Sequence, residues 1–134
     1  MPVVTWERLL FDDLKLTGTV NGTDYGSATA QTTLDILEPA HPMAGGLSGT
    51  VTVLTGPAEA RWGVLASGGV AVASITGAPT QATVFGFDTG ATLIDATAAP
   101  ARRVGLFLSD FGPAETNSDG VRLTLHSICW AAGL

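Results

Sequence analysis

From Gly49 onward the chain is a succession of short β-prone runs, cut by glycine or proline at nearly every interval. The runs are Thr50–Leu54, Arg61–Ala66, Val70–Thr76, Ala82–Phe87 and a weaker Ala91–Ile94. The cuts fall at Gly56-Pro57, Gly68-Gly69, Gly77 to Pro79 and Gly90. Strands this short, at this spacing, predict an antiparallel meander. Val104–Leu108 then runs continuously apolar, as a strand covered on both faces would. A closing helix is expected to follow, with Ser118 or Asp119 as N-cap and Gly133 as its stop.

The first third reads differently. Val3–Trp6 is a short strand. Glu7–Leu16 has Leu9, Leu10, Asp13 and Leu14 spaced for one or two amphipathic helical turns. Thr17–Ala30 is rich in Gly, Thr, Asn and Ser and predicts a loop. Thr32–Leu37 predicts a strand that Pro39 stops. His41 precedes Pro42 and is therefore expected to be extended. The expected fold class is α/β: a flavodoxin-like sheet with a parallel core, incomplete at the N-terminus, an antiparallel meander and a C-terminal helix, in one domain over residues 1–134.

Composition bounds the function. The chain has 134 residues, 46% hydrophobic and only 13% charged. That excludes disorder by composition and predicts apolar or small-polar surfaces that favour association. Twelve acids against five Arg and one Lys give a net charge of −6. Nucleic acid and anionic membranes need clustered Lys and Arg, so neither is an expected partner. Arg102-Arg103, the only adjacent basic pair, reads as a solvated strand entrance. One cysteine, Cys129, rules out an internal disulfide. No stretch reaches the ~20 apolar residues of a membrane span, and the first residues lack the pattern of a signal peptide.

Candidate chemistry is sparse, and no catalytic set is assigned. Cys129 and His126 lie three residues apart on the closing helix, close enough for a nucleophile pair. A thiolate is disfavoured near a helix C-terminus, so the structural reading is preferred. Glu7, Asp12 and Asp13 form the densest acidic cluster, but adjacent residues on a helix point in different directions. Glu7 and Asp13 are kept as binding candidates. No cofactor or metal is expected, because His41 and His126 lack a paired-ligand motif. Asn21-Gly22-Thr23-Asp24 fits an Asn-Gly turn better than a calcium loop. Trp6, Trp62, Trp130 and Tyr25 could supply sugar-stacking platforms, and Tyr25, in the expected polar loop, is the first choice, before the tryptophans. Trp62 is a second, and Trp130 reads as packing.

Several phrases resemble the C-terminal part of the ThuA-like branch of the class I glutamine amidotransferase-like superfamily. They are Val3-Val4-Thr5-Trp6-Glu7, His41-Pro42-Met43 with Gly46-Leu47, Ala82–Phe87, Arg103–Phe107, and Ile128-Cys129-Trp130-Ala131-Ala132-Gly133. The resemblance implies several β-α units before Met1, and in catalytic members a nucleophile on a tight turn within them. No equivalent turn stands in this sequence. The chain is therefore expected to be a fragment or a shortened domain with an open sheet edge, which invites a homo-oligomer. Similar domains accompany carbohydrate-related modules in exported bacterial proteins. The leading expectation is accordingly a non-catalytic accessory domain that binds a glycan or a neighbouring module. The alternatives are the C-terminal half of an amidotransferase-like enzyme and a self-assembling structural subunit.

Overall fold

The structure is a computed structural model describing residues 1–134. It is α/β: one mixed, mostly antiparallel eight-stranded sheet with a C-terminal helix. The strands are β1 (Val3–Thr5), β2 (Tyr25–Gln31), β3 (Thr33–Ile36), β4 (Gly49–Thr52), β5 (Ala58–Gly63), β6 (Val70–Ile75), β7 (Ala78–Phe87) and β8 (Arg103–Gly105). The α-helices are α1 (Leu9–Asp13) and α2 (Ser118–Ala132). The sheet runs β1-β8-β7-β6-β3-β4, and β5 joins β7 to β2. Only β1 and β8 pair in parallel; all other ladders are antiparallel. Most of the sheet is thus antiparallel, with β6-β7-β8 paired in chain order as a meander, and the parallel part is confined to its β1 end.

Side-chain alternation on β7 divides the core into two layers. Val84 and Gly86 face α2, where a Cβ on Gly86 would meet Met43 and Trp130 at 2.8 Å. Phe85 and Phe87 face the opposite layer, beside α1. There Phe11 meets Phe85 edge to face, with ring centroids 5.1 Å apart, a favoured aromatic geometry. The Phe85 ring lies over Gly105, where a Cβ would stand 2.1 Å from it. Glycine on β8 is thus what lets the ring lie flat.

Three expected elements are corrected. The loop over 17–30 gives way to β2, which pairs with β5 from Tyr25↔Gly63 to Gln31↔Ala58. Its composition hides it: Gly26 is there because Trp62 lies across it, 2.8 Å from where a Cβ would be. Ala30, at φ 56°, sits in the register shift between Ala28 and Gln31. The helix expected over 7–16 shrinks to Leu9–Asp13, with no capping side chain. Phe11 and Leu16 are fully buried, so packing rather than helical propensity places this segment. Ala91–Ile94 forms no strand; Thr92 makes an isolated bridge to Ala98.

Other expectations hold. His41 is extended, at φ −72° and ψ 139°. Gly133 ends α2 in the left-handed region at φ 78°. The N-cap expected at Ser118 or Asp119 is corrected: it is Asn117, whose Oδ1 accepts from the Gly120 N–H at 2.9 Å, while Ser118 and Asp119 are already helical. No helix is long and apolar enough to cross a membrane.

Candidate functional site

The four residues singled out as binding candidates are not brought together. Tyr25 opens β2 and is 6% exposed, so its ring belongs to the core and offers no face to a sugar. The cause is the strand missed by composition, which turns Tyr25 inward. Trp62 is equally buried, packed over Gly26. Asp13 is exposed at the end of α1, and its N–H donates to Asp12 Oδ1 at 2.9 Å. Only Glu7 joins a cluster, and not with Asp12 or Asp13.

That cluster is built on Arg61, which sequence reasoning passed over. Arg61 lies on β5 and is 5% exposed. Its Nη1 donates to the Trp6 carbonyl at 2.9 Å, and its Nη2 donates to Asp110 Oδ1 at 2.6 Å. Glu7 and Glu59 stand at 3.6 Å from Nη1 and Nε, and the Ser27 hydroxyl donates to Glu59 at 2.5 Å. A buried guanidinium is tolerated only when paired and hydrogen-bonded. Its ties reach the end of β1, strand β5 and the segment after β8. The signal for it was Glu59-Ala60-Arg61: residues two apart on a strand share a face, and Glu and Arg there are natural partners.

What Arg61 braces is an apolar groove of about 330 Å³. Val121, Leu125 and Ile128 of α2 form one wall; Trp6, Leu108 and Pro113 form the other. No charged residue lines it. Trp6 is held through its carbonyl by Arg61, and Asp110, the other strong partner of Arg61, directly precedes the exposed Phe111, two residues before Pro113 of the groove wall. Phe111 is 75% exposed, Leu125 54%, Ile128 42%, and Trp6 and Val121 38% each. Monomeric proteins rarely leave an apolar cluster of this kind exposed to water. Trp6 and Leu108 lie in segments expected as strands, and Val121, Leu125 and Ile128 in the expected closing helix; an apolar residue in sequence carries no label saying which side of the helix it faces.

A second cluster closes the other end of α2. Arg102 stacks over Trp130 at 4.4 Å, pairs with Asp88 at 2.9 Å and donates to the Trp130 carbonyl at 2.6 Å. The solvated strand entrance expected at Arg102-Arg103 is therefore corrected: Arg103 donates to the Leu14 carbonyl, and neither guanidinium is free. His41 lies 5.4 Å from the Trp130 ring and accepts the Met43 N–H through Nδ1 at 3.2 Å. Burial, and then the nearby Arg102 charge, hold the His41 pKa below its ordinary value, against Glu38 and Asp88. The hydrogen bond from Arg102 holds the Asp88 carboxyl below the usual range.

Cys129 is exposed on α2, away from any helix N-terminus. Asn21–Asp24 forms a turn in which Asp24 Oδ2 accepts the Val20 N–H at 2.9 Å, and Gly22 takes φ 84°. No group of three or more His, Cys, Asp or Glu side chains is arranged to hold a metal ion. No family model, curated protein or solved structure matches the chain.

Proposed function

We propose that this chain is a non-catalytic binding module and that the groove between α2 and Trp6 docks an apolar protein segment. The observation that carries the reading is the uncharged groove itself, with five partly exposed large apolar side chains in or beside it. Interfaces exclude charge from their centres and concentrate aromatics there. Trp6 and Phe111 are aromatic anchors of that kind, and the Arg61 knot holds Trp6 in place before any partner arrives. Preorganisation of this sort lowers the entropic cost of binding.

The resemblance to ThuA-like accessory domains gives the class of partner, a neighbouring protein module. A glycan is the weaker choice because Tyr25 and Trp62, two of the aromatics considered for sugar stacking, are buried, and another, Trp6, lines a groove whose only other polar side chains are Thr116 and Thr124. Panning a random peptide library against the protein tests the reading. Peptides rich in Leu, Phe and Trp are expected, with binding lost in Leu125→Glu. Selection of peptides indifferent to Leu125→Glu, or a strong response on a glycan array, would overturn it.

A further inference from the structure

The exposed row on α2 has a spacing of its own. Val121, Leu125, Ile128 and Ala132 follow one another at intervals of four, three and four residues. That is the spacing of a seam that packs against a facing helix. The only other α-helix of the chain, α1, has five residues, too short to cover a helix of fifteen. Residues 1–134 hold no helix long enough to face it.

We infer that the facing helix is α2 of a second copy, docked antiparallel across a two-fold axis between His126 and Ser127; this rests on the docking reading above. Such an axis sets Leu125 against Ile128 and Val121 against Ala132, so every residue of the row meets a residue of the same row. It also carries Arg122 to the C-terminal turn of the opposite helix, whose own last turn holds no basic residue. A cation is favoured there, and antiparallel helix dipoles attract.

Area and charge agree. The exposed parts of Trp6, Phe111, Val121, Leu125 and Ile128 sum to on the order of 500 Å² of apolar surface per copy, at the upper end for a soluble monomer. Doubled by the two-fold and given a polar rim, this reaches the lower range of stable interfaces, about 1,200 Å² in total. At a net charge of −6, two copies repel least where they meet through a face whose groove is uncharged.

The same axis keeps each flank of the seam on one side, so the Cys129 residues of the two copies stand on the same flank, about 10 Å apart for a rise of about 1.5 Å per residue and helices about 8–10 Å apart. Cys129 is the one cysteine of the chain and is exposed, so a link between two Cys129 residues forms only between copies. The test combines sedimentation equilibrium of the wild type, from micromolar to millimolar concentration, with treatment by a bis-maleimide whose reach matches that separation of about 10 Å. The expected result is a mass that rises toward twice the monomer, and a 129–129 cross-link mapped by mass spectrometry. Leu125→Glu should stay monomeric and uncross-linked, and a Cys129→Ser variant with its cysteine moved to Thr23, on an exposed turn, should give no specific cross-link. A wild type that stays monomeric at millimolar concentration, with no mapped 129–129 cross-link, overturns the second copy. If that monomer still binds the selected apolar peptides, only this inference falls; if it binds none, the docking reading falls with it.

Discussion

Leu123 and Leu125 sit two residues apart on the same helix, yet one is completely buried and the other 54% exposed. The inner face of α2, Gly120, Leu123, Ser127 and Ala131, closes over the sheet. The outer face, Val121, Leu125 and Ile128, is almost as apolar and has nothing from its own chain on it except the groove wall. A helix needs one apolar stripe to fold against a core. The second stripe is expected to contribute little to folding, and the proposed docking role accounts for its composition. Residues on the two faces should therefore fail in different assays.

The largest expected effect is on the inner face. Leu123→Ala should cost about 4 kcal/mol of unfolding free energy, as a large-to-small change at a fully buried site; urea denaturation reads it. A cost near zero would mean that α2 is not docked as described. Arg61→Met comes next, at about 3 kcal/mol, the low end for breaking a buried ion pair because Glu7, Glu59 and Asp110 still reach water. It should also loosen Trp6, so peptide affinity should fall along with stability. Unchanged affinity would separate the brace from the groove.

Gly105→Ala sharpens the comparison from the far layer. The added methyl runs into the Phe85 ring, an overpacking cost of about 2 kcal/mol, while binding at the groove should be unaltered. The pH response is smaller. His41 has its folded pKa below the ordinary 6.5, so the unfolded chain takes up its proton first. Stability should therefore fall as pH drops through about 6.5 toward the folded value, then level off. Asp35, Asp88 and Asp95 have folded pKa values below 3.8; the stability they add is lost as pH falls through that value and lower. His41→Asn keeps an acceptor for the Met43 N–H and should abolish only the upper window. A pH–stability curve identical to wild type would contradict the role given to His41.

Much of the fold was legible. The mostly antiparallel sheet, the closing helix, the extended His41 and the Gly133 stop each rest on local chemistry that a single sequence carries. β2 was not legible, because Gly26, Ser27, Ala28 and Ala30 are poor strand formers; the segment is a strand because β5 and the Trp62 ring define its path. The site was legible only in Glu7. Arg61 is distinguished by what surrounds it in three dimensions, from Trp6 to Asp110, across about a hundred residues of chain. Tyr25 was misplaced for the same reason as β2. The groove could not be read as a groove, since Trp6, Leu108, Pro113 and α2 meet only after the sheet has formed.

The most direct measurement is a pair of experiments on one variant, Leu125→Glu: its unfolding free energy, and its affinity for apolar peptides selected on the wild type. Stability should change by less than about 0.5 kcal/mol, as expected for a surface position, while binding is lost. A stability loss above about 2 kcal/mol would put Leu125 in the core, and retained binding would place recognition elsewhere; either result contradicts the division of α2 into a folding face and a docking face.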